Sequence, residues 1–277
     1  MRKEPLKIGF IGVGAMGAML VRALVRSDSV SAGNIWIANR SPAKLEALAA
    51  ECPGLNYADA EAIAAETQIL FLCVKPGDTR TLLEQIETRL RHDHICVFLT
   101  NVFSFQQLEA RVACRVAKLI PSVTQELNRG VALLACGTRL GAADSATLQN
   151  LLGRICTLRV VLEDQLRALA DVASCGPAFV SACIEEICRQ AAGRTRNLSA
   201  RQLQETAIET LTATAELLRS GISPQELVRQ VAVPGGMTDA GLQVLRGRLP
   251  EMIAAVFEAT DQAERKKKVA ISLDHGS

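Results

Sequence analysis

Short runs of apolar residues alternate with amphipathic stretches along the first 160 residues of the chain. Runs that are apolar at every position are typical of strands in a parallel sheet that helices cover on both faces. The pattern therefore predicts an α/β fold with a doubly wound parallel sheet. The first predicted strand ends at Ile11, and the others lie at residues 35–38, 69–74, 95–99, 116–120, 131–135 and 158–162, the last two at the sheet edge.

The pattern changes at Glu163, after which only helical periodicity continues as far as Lys268. Ser199 and Ser223 each precede a predicted helix and have Gln or Glu three residues later, which is the arrangement of a capping box. The helices carry so much Ala, Leu and Ile that we expect another subunit to cover part of their surface. The sequence thus predicts two domains, residues 1–162 with the sheet and an all-helical domain at residues 163–277.

The chain turns from the first predicted strand into a helix through three glycines, Gly12, Gly14 and Gly17, spaced G-x-G-x-x-G. In dinucleotide-binding proteins the first glycine permits a tight turn and the second lets the backbone approach a pyrophosphate. The third allows close packing of helix and strand. Because the first N–H groups of a helix are free to bind an anion, the spacing predicts a phosphate-binding loop here.

The end of the second predicted strand indicates which dinucleotide binds. An NAD enzyme places an acidic residue there to accept a hydrogen bond from the ribose 2′-hydroxyl, whereas this chain has Asn39, Arg40 and Ser41. The Arg40 guanidinium can pair with a 2′-phosphate, and Ser41 adds a hydroxyl donor. We therefore predict NADP(H) as the cofactor; the alternative is that Arg40 is a solvated loop residue.

Charge and cysteine content exclude several classes of partner. The net charge is +2, from 31 basic and 29 acidic residues, so we expect no nucleic-acid partner. The basic run at residues 265–268 is typical of the end of a helix. Nine cysteines without C-x-x-C spacing predict buried, reduced thiols in a cytoplasmic protein and no metal site. No apolar run approaches the roughly 20 residues that span a membrane, so we expect no membrane partner.

Three further segments, at residues 73–76, 173–178 and 234–241, complete a pattern that covers nearly the whole chain. They read Cys-Val-Lys-Pro, Ala-Ser-Cys-Gly-Pro-Ala and Pro-Gly-Gly-Met-Thr-Asp-Ala-Gly. Together with the glycine loop and Arg40, their order and spacing resemble the pyrroline-5-carboxylate reductase family. Within that family, residues 120–124 and 174–178 are most similar to the late competence protein ComER branch.

The resemblance implies an N-terminal Rossmann-type NADP-binding domain and a helical dimerisation domain that interlocks with a second copy, giving a homodimer or larger homo-oligomer. It implies hydride transfer from NADPH to the C=N carbon of a cyclic imine carboxylate, converting pyrroline-5-carboxylate to proline. The implied cofactor-binding residues are Gly12, Gly14, Ala15, Met16, Gly17, Asn39, Arg40, Ser41, Val74, Lys75 and Pro76. The implied substrate-binding residues are Ser174, Cys175, Gly235, Gly236, Met237 and Thr238, with Thr238 also catalytic as a donor near the imine nitrogen.

The substrate half departs from the family pattern. The usual Pro-Asn-Thr-Pro is Pro-Ser-Val-Thr at residues 121–124, Ser-Gly-Ser-Gly-Pro-Ala is Ala-Ser-Cys-Gly-Pro-Ala, and Val233 replaces a serine. Each group left unpaired in a site built for a small polar substrate costs about 1–3 kcal/mol. A second hypothesis is therefore a regulatory protein that binds NADP without turnover. For Thr238, the alternative role is to cap a helix predicted at residues 239–246.

Overall fold

The computed structural model describes residues 5–195 and 197–271. The strands are β1 (Ile8–Ile11), β2 (Ile35–Ala38), β3 (Asn56–Tyr57), β4 (Ile69–Leu72), β5 (Ile95–Phe98), β6 (Arg115–Ile120), β7 (Val131–Cys136) and β8 (Thr157–Val160). The helices are α1 (Ala15–Arg26), α2 (Pro42–Glu51), α3 (Ala60–Glu66), α4 (Thr79–Ile86), α5 (Phe105–Arg111), α6 (Ala142–Leu152), α7 (Leu166–Ala173), α8 (Gly176–Ala192), α9 (Ala200–Arg219), α10 (Pro224–Val231) and α11 (Met237–Ala270).

The eight strands form one sheet in the order β3-β2-β1-β4-β5-β6-β7-β8. Neighbouring strands are parallel, except that β7 runs antiparallel to β6. This order confirms the predicted doubly wound sheet, with β7 and β8 towards one edge. The sequence did not predict β3 at the other edge, because a strand of two residues is too short to produce a periodic pattern.

Both faces of the sheet are buried, which is why its central strands are apolar at every position. Along β1, Phe10 belongs to the hydrophobic cluster on one face and Ile11 to the cluster on the other. The Phe10 ring stacks on that of Phe71 in β4, with centroids 4.7 Å apart. All residues of β1 are buried, so this central strand holds the start of the loop that follows it in a fixed position.

A network of ion pairs that includes the buried Lys118 joins the sheet to the helices that follow it. The Lys118 side chain in β6 is 1% exposed, and its Nζ lies 2.5 Å from Glu163 Oε1 and 4.8 Å from the centre of the Phe105 ring. Burial lowers the pKa of Lys118, and the Glu163 carboxylate opposes that shift. Arg167 in α7 pairs with Glu264 at 3.0 Å. These contacts hold the start of α7 and the end of α11 to the sheet.

Contacts divide the chain into two units. The first unit contains the residues up to Pro177 and the segment from Gln262 onward, and the second unit is Ala178–Asp261. Helix α7 belongs to the first unit, where Leu166 and Ala170 are buried. The predicted domain boundary between residues 162 and 163 stays a prediction.

The second unit is helical and carries apolar side chains on its surface. The N-cap of α9 is Ser199 with the predicted capping box, whereas the Ser223 hydroxyl caps α10 by accepting from the N–H of Glu226 without the reciprocal bond. None of the described residues in α9 and α10 is buried. Large apolar side chains are exposed throughout this unit: Val180, Ile187, Leu198, Ile208, Leu211, Leu217, Leu218, Val231, Val233, Met237, Val244, Leu245, Leu249, Met252 and Ile253. An unpartnered apolar surface of this size is typical of a subunit interface.

One segment within the described part of the chain, Glu163–Ala192, is long and apolar enough to cross a membrane by length and composition alone. Polar residues such as Asp171 and Ser174 interrupt this segment, so it lacks the uninterrupted apolar run of about 20 residues that a membrane span was expected to need. The segment contains two helices, since α7 ends at Ala173 and α8 begins at Gly176.

The cysteines follow the prediction in part. Cys52, Cys96, Cys114 and Cys156 are buried, whereas Cys183 on α8 is exposed. Burial raises the pKa of Cys156 to about 11, which keeps it in the unreactive thiol form. Among residues 5–195 and 197–271, no group of three or more His, Cys, Asp and Glu side chains is placed to hold a metal ion.

His94, which precedes β5, is fully buried and makes stability depend on pH. Its Nδ1 accepts a hydrogen bond from the backbone N–H of Arg91 at 3.1 Å. Burial lowers the pKa of His94, the positive charges of Arg91 and Arg115 lower it further, and Asp93 opposes them. The unfolded chain therefore takes up a proton near pH ~6.5, whereas the folded chain takes it up only at lower pH.

We expect the free energy of unfolding to fall as the pH drops below about 6.5, by up to about 1.4 kcal/mol per pH unit. The His94→Asn variant should lose this slope, because its amide oxygen can accept the Arg91 hydrogen bond without taking up a proton. The exposed neighbour His92 provides the control variant His92→Asn, which should keep the slope. Urea unfolding at several pH values measures this, and equal slopes in all three proteins would contradict the role of His94.

Candidate cofactor and substrate site

Three segments of the first unit meet where β1, β2 and β4 end. Strand β1 lies between β2 and β4, so the residues that follow these two strands flank the glycine loop. The N–H of Gly12 donates to Ala38 O at 2.8 Å, and the N–H of Cys73 donates to Ile11 O at 2.8 Å. Ligands of open α/β sheets bind at the carboxyl ends of the strands. The structure brings all the predicted cofactor-binding residues to this edge.

The three glycines of the loop differ in what an added side chain would contact. Gly12 has a φ of +95°, which favours glycine, and an added Cβ would lie 3.0 Å from the carbonyl of Cys73. A Cβ on Gly17 would lie 2.4 Å from Gly12 O, so a larger residue would force the backbone to move. A Cβ on Gly14 would meet no protein atom within 4 Å. The space beside Gly14 is therefore open to a ligand.

The N-terminus of α1 has the properties of an anion site. Gly14 is the N-cap residue and makes no side-chain hydrogen bond to the helix. The first hydrogen bond of the helix runs from the N–H of Ala18 to Gly14 O at 2.9 Å, so the amides of residues 15–17 have no acceptor within it. The first turn contains no acidic residue. Free amides without a nearby carboxylate favour a phosphate, so the residues present fit a dinucleotide.

Residues 39–41 follow β2 on one side of this loop. The Arg40 side chain is 87% exposed, and its Nη2 lies 2.8 Å from Asp78 Oδ2. Ser41 occupies the N-cap position of α2, yet its hydroxyl makes no cap hydrogen bond. Asn39 Nδ2 donates to Ser41 O at 3.3 Å, which closes the turn. An exposed guanidinium and an uncommitted hydroxyl suit recognition of a phosphate monoester.

Residues 74–76 follow β4 on the other side of the loop. A Cβ added to Gly12 would lie 3.1 Å from Val74 Cγ1, so Val74 packs against the glycine turn. Lys75 is exposed and precedes the 3-10 turn Pro76–Asp78. The Lys75 side chain is therefore accessible to solvent at the same edge of the sheet.

Ser174 and Cys175 lie between the end of α7 and the start of α8. The Ser174 hydroxyl donates to Pro121 O at 2.7 Å, which joins this break to the loop after β6. The N–H of Cys175 donates to Ala170 O at 2.9 Å. Ser122 in the same loop is 1% exposed, and its Oγ has no hydrogen-bond partner among the described residues. Ser122 and Ser174 thus lie in the two segments, residues 121–124 and 173–178, that depart from the family pattern.

Residues 235–238 belong to the second unit. Gly235 has a φ of +74°, and its N–H donates to Asp239 Oδ2 at 3.1 Å. The N–H of Gly236 donates to Val233 O at 2.9 Å. Helix α11 begins at Met237, so Thr238 lies inside its first turn. The alternative in which Thr238 caps a helix that starts at residue 239 is therefore wrong.

Comparison with known proteins identifies the family. Residues 163–268 match the family described as pyrroline-5-carboxylate reductase dimerisation, and residues 7–101 match NADP oxidoreductase coenzyme F420-dependent. ComE operon protein 4 of Bacillus subtilis is 32% identical over 92% of this chain and 94% of its own length. The chain belongs to the pyrroline-5-carboxylate reductase family. Pyrroline-5-carboxylate reductase 3 of the same species is 27% identical over the same shares of the two chains.

Solved structures of pyrroline-5-carboxylate reductases share this fold. The Plasmodium falciparum pyrroline carboxylate reductase with NADP bound matches with a TM-score of 0.83 at 20% identity, over 95% of this chain and 97% of that one. The pyrroline-5-carboxylate reductase of Coxiella burnetii gives 0.83 at 21% identity, over 95% and 99%. The predicted Rossmann-type fold with a helical dimerisation region is thus confirmed. The family assignment also confirms NADP as the cofactor.

Two arginines of α1 that the sequence analysis did not predict hold the loop after β6 in this family member. Arg26 Nη2 lies 2.6 Å from Glu126 O and 3.0 Å from Asn128 Oδ1. Arg22 pairs with the Glu126 carboxylate. Their spacing of four residues places both on one face of α1, which was the available signal in the sequence. The helix at the cofactor loop is therefore tied to the segment that departs most from the family pattern.

Proposed function

We propose that this protein is an NADPH-dependent reductase that converts pyrroline-5-carboxylate to proline in the cytoplasm. Two features support this proposal: the glycine loop is open to a ligand at Gly14, and the exposed Arg40 follows the neighbouring strand β2. A dinucleotide that carries a 2′-phosphate suits this pairing. Reduced NADP, when bound, supplies the hydride that the reaction needs.

The cofactor-binding residues have three roles in this proposal. The glycine loop and the amides of residues 15–17 bind the pyrophosphate. Residues 39–41 bind the adenosine 2′-phosphate through one cation and two polar side chains. Residues 74–76, which follow β4, lie nearer the nicotinamide. The positions of these segments at the ends of three adjacent strands support the assignment.

The substrate site in this proposal lies between two subunits of a homodimer or larger homo-oligomer. Ser174, Cys175 and residues 235–238 contact the imine carboxylate. The amides of Met237 and Thr238 bind its carboxylate, because the N–H groups of Gly235 and Gly236 already have acceptors. The Thr238 hydroxyl donates to the imine nitrogen and relays a proton. An imine is readily protonated, so orientation next to the nicotinamide carries most of the acceleration.

Oligomer formation in this proposal depends on residues 163–277. The match to the dimerisation family begins at residue 163, which supports a boundary after residue 162. The exposed apolar side chains of the second unit support burial against another copy. Helix α7 packs against β7 within the first unit.

A second candidate function is NADP binding without turnover, in a regulatory protein of the ComER type. The higher identity to ComE operon protein 4 than to pyrroline-5-carboxylate reductase 3 supports it, as does the departure of residues 121–124 from the family pattern. A regulatory protein binds NADPH but does not oxidise it when pyrroline-5-carboxylate is added. A reductase does both, so the two functions are separable in one sample.

Thr238 provides a direct test of the proposed chemistry. The Thr238→Val variant should lower kcat for pyrroline-5-carboxylate by about 10- to 100-fold, because it removes the donor to the imine nitrogen without changing side-chain volume much. The Thr238→Ser variant keeps a hydroxyl and should stay within about threefold of the wild type. The dissociation constant for NADPH should be unchanged in both. A fully active Thr238→Val enzyme would exclude this role.

A further inference from the structure

An ion pair connects the two segments that flank the glycine loop. Arg40 follows β2 and Asp78 follows β4, and Arg40 Nη2 lies 2.8 Å from Asp78 Oδ2. Strand β1 and its loop lie between those two strands in the sheet. The Asp78 carboxylate therefore forms an ion pair with the same guanidinium that, in the proposed function, binds the 2′-phosphate.

The Asp78 carboxylate does not cap the helix that it precedes. It is the N-cap residue of α4, but it makes no cap hydrogen bond, and its φ of −91° and ψ of −8° are helical rather than extended. Asp59 at the start of α3 shows the usual arrangement, in which the carboxylate accepts from the N–H of Ala62 at 2.8 Å. The partner of Asp78 is thus a residue of another strand end, and helix capping does not account for its orientation.

We propose that Asp78 is the counter-ion that the 2′-phosphate of NADP displaces from Arg40, and that it thereby sets selectivity between NADP(H) and NAD(H). This inference rests on the proposed cofactor site. A phosphate dianion competes for the guanidinium more strongly than a single carboxylate does, and its charge repels Asp78. A ribose hydroxyl cannot displace the carboxylate, so NADH binds with the Arg40–Asp78 pair intact. Asp78 therefore weakens NADPH binding and leaves NADH binding unaffected.

The Asp78→Asn variant tests this role through binding alone. Removal of the competing charge should tighten NADPH binding by about 3- to 10-fold, as for loss of one exposed ion pair, and leave NADH binding within about twofold. Glu84→Gln is the control, since Glu84 lies on the helix that Asp78 precedes, is 40% exposed against 37% for Asp78, and pairs with Arg80 at 3.0 Å and Arg111 at 3.7 Å. The control should change neither affinity. Fluorescence titration of each protein with NADPH and NADH measures both constants.

The outcomes separate this inference from the proposed function. Weaker NADPH binding by Asp78→Asn would mean that Asp78 positions Arg40 instead of competing for it, which overturns the inference. An equal change for NADPH and NADH overturns it as well, because the 2′-phosphate would then not be the competing group. A wild-type protein that prefers NADPH, together with an unchanged Asp78→Asn variant, overturns the inference alone. A wild-type protein without that preference overturns the proposed cofactor site.

Discussion

NADPH should bind about 10- to 100-fold more weakly to the Arg40→Glu variant than to the wild-type protein. The substitution removes a charge-assisted pair with the 2′-phosphate and puts a second carboxylate beside Asp78, which repels the phosphate. The affinity for NADH should change by less than about threefold, because NADH carries a hydroxyl at that position. Fluorescence titration with both dinucleotides measures the shift in preference.

Arg201 provides the matched control for this variant. Its side chain is 87% exposed, as is that of Arg40, and it pairs with Glu205 at 2.7 Å. The same change of charge in Arg201→Glu should leave the affinities for NADPH and NADH unchanged, since α9 carries none of the proposed cofactor-binding residues. Unchanged NADPH affinity in Arg40→Glu would show that the 2′-phosphate does not bind at the end of β2.

Alanine substitutions at Gly14 and Gly17 should separate cofactor binding from folding. Gly14→Ala should change the free energy of unfolding by less than about 0.5 kcal/mol, because its Cβ meets no protein atom and its φ of −73° suits alanine. It should weaken NADPH binding at least about 10-fold, since the methyl group stands where the pyrophosphate approaches. Gly17→Ala should destabilise the fold by about 2 kcal/mol, because its Cβ lies 2.4 Å from Gly12 O.

Urea unfolding and NADPH titration of the two alanine variants provide the readouts. The Gly14→Ala protein with normal stability serves as the folded control for Gly17→Ala. An unimpaired affinity for NADPH in Gly14→Ala would place the pyrophosphate elsewhere. A Gly17→Ala protein as stable as the wild type would contradict the close contact between the start of α1 and the loop.

Most of the first unit was predictable because its determinants are local in sequence. Apolar runs such as residues 69–74 are set by burial on both faces, and the glycine spacing is set by backbone geometry at Gly12 and Gly17. The Gly-Pro sequence at residues 176–177 is another local determinant, because proline suits the first turn of a helix such as α8. In contrast, β3 was not predicted, because a strand of two residues is too short to show a periodic hydrophobic pattern. Helix α11 was predicted only at residues 239–246, yet it extends to Ala270 although Pro250 lies within it.

The contacts that refine the site were not predictable because they join residues distant in the chain. Asp78 at the start of a helix is usually a cap, and only the neighbouring positions of β2 and β4 bring it to Arg40. The contact of Arg26 with Asn128 joins residues 102 positions apart. The burial of Lys118 depends on Glu163, which follows another strand. Sequence patterns suggest candidate binding residues, whereas the fold determines which other side chains contact them.

We infer that this family member binds NADPH and transfers its hydride to pyrroline-5-carboxylate. The most direct measurement adds pyrroline-5-carboxylate to purified protein with NADPH, follows NADPH oxidation by absorbance, quantifies proline, and measures NADPH binding in the same sample. One proline should form for each NADPH oxidised, at a rate proportional to protein concentration. Tight NADPH binding without oxidation or proline formation would contradict the reductase function and favour the regulatory one.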